Sequence, residues 1–174
     1  MLFEKIQPLL ERRSVRNYKS DQITEKELTT ILEAGKYAPS GMGDFKWKFV
    51  VVQKNGAMET LLNELNESFG LGESAFYQAP TLVIVFTDIN SCAPIEDGSL
   101  AIGNMLNAAH MIGLGSCWIN SIPQFFKTDR GKILQEEFHV PADYICVGSY
   151  AVGYVNGSYP LVKLRSEDMI VRIG

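Results

Sequence analysis

The stretch Arg12-Arg13-Ser14-Val15-Arg16, close to the start of the chain, places three guanidinium groups and one hydroxyl within five residues. Apolar side chains recur at helical spacing before it, which predicts a helix over residues 2–12, and an extended segment is predicted after it. Guanidinium groups match phosphate oxygens in pairs, so the stretch suits a phosphate dianion. Taken alone, it fits a solvated run at a helix end better, and the rest of the chain has to decide between these interpretations.

The composition is that of an ordinary globular protein. Of the 174 residues, 46% are hydrophobic and 21% are charged, which argues against disorder and predicts a single domain over residues 1–174. The chain carries 16 Lys and Arg residues against 20 Asp and Glu residues, a formal net charge of −4, so a nucleic-acid partner is not expected. In an acidic chain, a local cluster of arginines is more informative than it would be in a basic one.

Cysteine and histidine usage argues against a disulfide framework and against a metal site. The three cysteines are an odd number without CxxC spacing, which predicts free thiols in a reducing compartment. The two histidines, His110 and His139, are too isolated for a zinc site. The sequence shows no signal-peptide pattern, and the apolar run over residues 79–87 is too short to span a membrane, so a cytoplasmic protein is expected.

Helix and strand patterns follow one another along the rest of the chain. Helices are predicted over residues 25–37, 58–69 and 97–112 and before Pro141, the first opened by a capping box and the third capped by Asp97. Strands are predicted over residues 49–52, 81–87, 116–119 and 144–154. The alternation of Met169, Val171 and Ile173 predicts a last strand that nothing in this chain is left to cover.

The predicted helix over residues 97–112 is apolar on nearly all sides, which implies burial on all sides. In so small a domain, a second subunit could cover one face. The polar residues Asn104, Asn107 and His110 are spaced by three, and we interpret them as a hydrogen-bonded seam between helices in preference to a catalytic base. Residues 70–79 are irregular in composition and are predicted to form a mobile cover.

Two common classes of enzyme are not supported. No GxGxxG motif follows a strand and opens a helix, so a dinucleotide-binding fold of that type is not expected. Ser14 and Ser40 have no evident His and Asp partners, which argues against a hydrolase.

Taken in order, the motifs resemble those of the nitroreductase family of flavin mononucleotide (FMN) enzymes. Besides residues 12–16, the resemblance rests on Ala38-Pro39-Ser40, on Trp47-Lys48-Phe49-Val50-Val51-Val52, on Ala101-Ile102-Gly103-Asn104-Met105 with Ala109, on Gly113-Leu114-Gly115-Ser116-Cys117-Trp118, and on Lys163-Leu164-Arg165. The resemblance implies an α+β fold of three layers, in which helices flank a central, mostly antiparallel sheet. It also implies an intertwined homodimer with two FMN molecules at the interface and a C-terminal segment, residues 163–174, that packs on the partner's sheet.

The resemblance assigns roles around the cofactor. Arg12, Lys163 and Arg165 would hold the phosphate, Ser14 would add a hydroxyl, and Arg13 would contribute backbone and ribityl contacts. Arg16 would approach N1 and O2 of the ring, where it would stabilise the negative charge of the reduced flavin. Pro39, Ser40 and Gly41 would line the ring from the second subunit, and Trp118, Ile119 and Asn120 would lie near its dimethylbenzene and N5 side. Which of these last three donates to N5 is left open.

The sequence departs from the family after Ser40. The family usually has Asn, a variable residue and then Gln-Pro-Trp, whereas this chain has Gly43-Asp44-Phe45-Lys46-Trp47. Two amides that often contact the flavin are therefore missing. Phe45 could stack where an amide usually bonds, and Lys46 could offer a charge.

The resemblance implies an oxidoreductase that uses NAD(P)H to reduce nitroaromatics, quinones or similar flat electron-poor acceptors by a ping-pong mechanism. The cofactor carries the chemistry, so no residue is assigned as a catalytic acid or base and no metal is expected. Two alternatives stay open. One is another redox reaction of the same fold, such as reductive dehalogenation or metabolite oxidation, and the other is a flavin-binding module without turnover.

Overall fold

A four-stranded antiparallel sheet forms the centre of the fold. The structure is a computed structural model that describes residues 2–53, 56–70 and 75–174. The strands are β1 (Trp47–Gln53), β2 (Thr81–Asp88), β3 (Gly115–Ile119) and β4 (Tyr144–Gly153). Their order across the sheet is β1-β2-β4-β3, and each neighbouring pair is antiparallel. Strands β1 and β3 are therefore the two edges.

Helices cover both faces of this sheet. They are α1 (Leu2–Glu11), α2 (Glu25–Lys36), α3 (Gly56–Phe69), α4 (Pro94–Met111), α5 (Ile122–Phe125) and α6 (Asp129–Glu137). Because side chains of a strand alternate between faces, β2 serves two cores. Val83 and Val85 pack with residues of α2 and α4, whereas Leu82, Ile84 and Phe86 pack with residues of α3, α5 and α6. The predicted three-layer α+β arrangement is confirmed.

Helix α4 begins three residues earlier than predicted, at Pro94, so the assignment of Asp97 as its N-cap is wrong. Proline has a fixed φ and lacks an N–H, which makes it a favourable first residue of a helix. Asp97 consequently lies inside the first turn, where its side chain is buried. The short helix α5, which carries Pro123 in its first turn, was not predicted.

The tail differs most from the prediction. In the described part of the chain, residues 160–174 form no strand, and their regular structure is a single 3₁₀ turn at Glu167–Met169. Leu164 and Ile173 have 96% and 97% of their surface exposed. A strand requires a neighbouring backbone for its hydrogen bonds, and a single chain supplies none at this position.

The expected complete burial of α4 is wrong for a single chain, because Leu100, Met111 and Ile112 are exposed. Of the three residues expected to form a polar seam, Asn104 bonds to another helix, donating from Nδ2 to the carbonyl of Ala34 on α2 at 3.1 Å. His110 lies against the ring of Tyr159 instead. Among the residues described, no helix has the length and apolar character needed to cross a membrane.

The predicted cover over residues 70–79 is described only in part, because residues 71–74 lie outside the described residues. Of the remainder, Phe76 and Ala79 are buried in the core, and Tyr77 and Gln78 have positive φ angles.

Candidate functional site

The arginine stretch runs along the free edge of β3. Ser14 forms a parallel bridge with Ser116, and the Val15 N–H donates to the Ser116 carbonyl at 3.0 Å. The Val15 side chain is buried against Gly115, where an added Cβ would come within 2.8 Å of it. The Tyr18 hydroxyl donates to the Val15 carbonyl at 2.6 Å. Beyond the stretch, Tyr18 forms an antiparallel bridge with Val155, which agrees with the extended segment predicted there. The close packing at Gly115 fixes the position of the stretch on the sheet.

Arg13 is anchored through its backbone while part of its side chain has no partner. Its N–H and its carbonyl both bond to the Tyr159 hydroxyl at 3.4 Å, and the Tyr159 ring lies 5.0 Å from the ring of His110 on α4. Its Nη1 donates to the Arg12 carbonyl at 2.5 Å. Its Nε is buried and has no hydrogen-bond partner among the described residues, and the same holds for Oγ of Ser116. Buried donors are normally satisfied, so an orphaned guanidinium nitrogen suits a bound anion.

The positive charges of this stretch have no paired carboxylate in the part of the chain that the structure describes. Across residues 2–53, 56–70 and 75–174, no ion pair includes Arg12, Arg13 or Arg16. Three guanidinium groups without a paired carboxylate, one of them with an orphaned Nε, fit a phosphate better than they fit a solvated helix end. The donor set is thus compatible with the phosphate of FMN.

Arg16 lies over the described part of the predicted cover. Its guanidinium carbon is 5.7 Å from the centre of the Tyr77 ring. A hydrogen bond with Tyr77 is the main cause that raises the pKa of Arg16, and Cys117 adds to it. Burial raises the pKa of the Cys117 thiol, against the opposing effects of Arg16 and of a hydrogen bond with Ser14. Arg16 therefore stays a cation beside a neutral thiol.

Fewer side chains at the end of β3 are exposed to a ligand than the resemblance implies. Trp118 packs against the core beside α4, and Ile119 is buried in the core on the opposite face. Asn120 is exposed and lines a cavity of about 760 Å³ between the start of β4 and helices α5 and α6. Of these three predicted residues, only Asn120 therefore has an exposed side chain to offer a ligand, and the other two can contribute mainly backbone groups.

The Ser40 loop, residues 39–46, is fastened to the start of α4. Asp97 Oδ1 accepts from the Gly41 N–H at 2.8 Å, and Oδ2 accepts from the Ser40 hydroxyl at 3.1 Å. The Ser40 Oγ in turn accepts from the Phe45 N–H at 3.1 Å. Asp97 was interpreted from sequence only as a helix cap. The sequence signal that could have indicated this contact is the position of a carboxylate on an otherwise apolar helix face.

One chain does not bring all the predicted residues together. The Ser40 loop, with Pro39 and Gly41, contacts α4 at Asp97, whereas the arginine stretch approaches α4 at His110. These two positions are thirteen residues apart, or about 20 Å along the helix axis. Lys163 and Arg165 are exposed in the tail, where Arg165 donates to the Lys163 carbonyl at 2.7 Å. The predicted site is thus divided between the two ends of α4.

His110, which lies near the arginine stretch, makes the free energy of unfolding depend on pH. Burial lowers its pKa below the ordinary value of 6.5, Glu11 opposes this, and Arg12 and Arg13 lower it further. Between 6.5 and the lower folded-state pKa, the unfolded chain binds more protons, so the free energy of unfolding falls as pH drops through this window.

We expect His110→Gln to reduce this loss of stability. Urea unfolding of both proteins at about pH 7.5 and about pH 5.5 measures it, and the difference should be modest because the ring is only partly buried. An identical pH dependence in the two proteins would contradict this role of His110.

The comparisons with known proteins agree with this geometry. The model of the nitroreductase family matches residues 9–73 and 70–154. A solved nitroreductase with bound FMN from Bacteroides fragilis is 31% identical, with a TM-score of 0.90 over 98% of this chain and 99% of that chain. A protein of Archaeoglobus fulgidus, named as an NADH dehydrogenase/NAD(P)H nitroreductase, is 29% identical over 82% of this chain and 80% of its own length. An iodotyrosine deiodinase of Thermotoga neapolitana is 26% identical over 92% of both chains.

The fold and the site define an α+β protein with a cationic anchor along one edge of its antiparallel sheet. The chain belongs to the nitroreductase family.

Proposed function

We propose that this chain is an FMN-dependent oxidoreductase that takes electrons from NAD(P)H and passes them, by a ping-pong mechanism, to nitroaromatics, quinones or similar flat electron-poor acceptors. The observation that carries the proposal is the unneutralised arginine stretch with the orphaned Nε of Arg13. Family membership supports it, as does the FMN bound by the Bacteroides fragilis relative.

The residues of the chain would bind and orient the cofactor. Arg12, with Lys163 and Arg165 from the tail, would hold the phosphate, and the Ser14 hydroxyl would add a donor. Arg16, kept in place by Tyr77, would place its positive charge near the pyrimidine edge of the ring. Bound FMN supplies the hydride-transfer chemistry, so no protein acid or base is needed.

We further propose that the site is completed in a homodimer. The 20 Å division of the site along α4 supports this, because the Ser40 loop of one copy can meet the arginine stretch of another. Exposed apolar residues on α1, α4 and the tail supply surface to bury, among them Phe3, Leu100 and Met111. The edge strand β1 is open to a strand from the partner's tail.

A second candidate function is reductive dehalogenation with the same cofactor. The likeness to an iodotyrosine deiodinase over 92% of the chain favours it. The free cysteines of the described chain support a cytoplasmic location.

An anaerobic absorbance titration tests the function. We expect the purified protein to be yellow and to lose its flavin absorbance within seconds of the addition of NADH or NADPH, and a quinone or nitroaromatic should restore it. Restoration by an iodinated phenol alone would favour dehalogenation. A bound flavin that neither nucleotide reduces would favour a binding module without turnover, and a colourless protein that binds no added FMN would refute the proposal.

A further inference from the structure

Asp97 is a buried carboxylate that the proposed electron transfer does not use. It has only 4% of its surface exposed. Among the residues that the structure describes, no ion pair includes it. A buried carboxylate is costly unless it accepts hydrogen bonds, and both oxygens of Asp97 accept from one loop, through Gly41 and Ser40. We therefore interpret the Asp97 carboxylate as the hydrogen-bond acceptor that holds the Ser40 loop in place.

The hydrogen bonds continue from Asp97 to Phe45. The Ser40 hydroxyl donates to Asp97, and its oxygen accepts from the Phe45 N–H. Phe45 has a φ of 50°, in the left-handed region that residues with a side chain disfavour. This conformation persists only where neighbouring contacts hold it, so the Ser40 oxygen has a direct influence on where Phe45 lies.

The base of the loop fits tightly against the turn before α4. A Cβ added at Gly41 would clash with the Cys92 Sγ, so the Gly41 backbone itself packs against that turn. The loop is thus fixed at Gly41 and at Ser40, and the exposed segment beyond them starts from a defined position.

The Phe45 ring stands at one side of a cleft. Its surface is 56% exposed, and its ring meets the ring of Trp47 edge to face with 5.7 Å between centres. Tyr37, Pro39 and Ser40 line the same cleft, which has a volume of about 530 Å³. This volume is in the range of small-molecule sites, and two aromatic rings at its rim suit a flat aromatic guest.

We propose that Asp97 is a positioning residue for the electron acceptor: through Ser40 it holds the Phe45 ring as a wall of the cleft, and this cleft takes the flat ring of the acceptor. The proposal rests on the proposed function, because the acceptor has to meet a reduced flavin bound beside the Ser40 loop. The acceptor class it implies is aromatic and planar, bound by stacking.

The first test measures the loop without flavin or turnover. In Asp97→Asn the amide nitrogen replaces the oxygen that accepts from Ser40, and Ser40→Ala removes the link to Phe45. We expect amide hydrogen exchange over residues 41–45 to become about tenfold faster in both variants, the effect of losing one hydrogen bond. Glu96→Gln makes the same charge change in the same helix turn at an exposed position, and it should leave the exchange unchanged. Equal exchange in all four proteins would overturn the proposal.

The second test separates acceptor binding from the rest of the reaction. With 2-methyl-1,4-naphthoquinone, we expect Asp97→Asn and Phe45→Leu each to raise KM about tenfold. Turnover with ferricyanide, which does not stack, should change by less than about twofold when it is expressed per bound flavin at saturating NAD(P)H. The double variant should show no more than the larger single effect, because the two residues act through one contact.

These outcomes separate a failure of the positioning role from a failure of the proposed function. An unchanged KM for the quinone in Asp97→Asn and Ser40→Ala would overturn the positioning role, and so would a loss of flavin with an unchanged KM in the molecules that keep it. Wild-type protein that binds no FMN would refute the proposed function and the acceptor role together, whereas the exchange measurement would still decide whether Asp97 fixes the loop.

Discussion

Removal of residues 163–174 is expected to abolish FMN binding and to leave a monomer. The deleted segment carries Lys163 and Arg165, two of the three cations proposed for the phosphate. It also carries apolar side chains that a single chain leaves exposed, including Leu164, Val171 and Ile173. Burial of each such side chain against a partner contributes roughly 1.5–3 kcal/mol, so their joint loss removes a large share of an interface. Light scattering gives the mass, and the absorbance ratio gives the flavin content.

A full-length variant with Lys163→Met and Arg165→Met is the matched control. It keeps the length and apolar residues of the tail and removes only the two charges, so we expect a dimer with weakened FMN binding. A truncated protein that is monomeric and fully loaded with FMN would contradict the proposed dimer site. A truncated protein that remains dimeric would contradict the role of the tail in assembly.

The sheet was predictable because its strands carry their own signal. Phe49-Val50-Val51-Val52 and the run over residues 81–87 are continuous and apolar, as is typical of strands, and they form β1 and β2. Only β2 is buried along its length, because β1 lies at the edge of the sheet and is mostly half-buried. The capping box of α2 is equally local, since Thr24 and Glu27 bond reciprocally within four residues. Such local patterns predict structure well because the interactions behind them lie close together in the sequence.

The features that were missed depend on distant partners. Asp97 carries the usual signature of a helix cap, and only its contact with a loop more than fifty residues away gives it another role. The tail alternates like a strand, yet a strand forms only beside another backbone. The burial of α4 was overestimated, because a single chain leaves its apolar residues Leu100, Met111 and Ile112 exposed.

The same contrast between local patterns and distant contacts applies to the candidate site. The arginine stretch was identified from its composition and from its resemblance to a family, and the orphaned Nε of Arg13 now gives it a physical basis. The roles of Tyr77 and Tyr159 as its anchors had no sequence signal, because neither lies near it in the chain. Sequence order also gave no indication that the Ser40 loop lies at the other end of α4.

Arg12→Ala is expected to weaken FMN binding by about 100-fold, because the phosphate loses a charge-assisted pair and stays under-paired. Riboflavin lacks the phosphate, so its affinity should change by less than about twofold, and the ratio of the two affinities isolates the phosphate contact. Flavin fluorescence quenching measures both. Arg12→Lys should fall between wild type and Arg12→Ala, since an ammonium group keeps the charge without the paired geometry of guanidinium.

Arg130→Ala is the control for this experiment. It removes the same charge from an exposed arginine on α6 that pairs with Glu64, and an exposed ion pair contributes little, so FMN binding should not change. If Arg12→Ala left the preference for FMN over riboflavin unchanged, the phosphate would have to be held elsewhere. An equal loss of both affinities would instead place Arg12 against the ring or the ribityl chain, and the arginine stretch would then orient the flavin without gripping its phosphate.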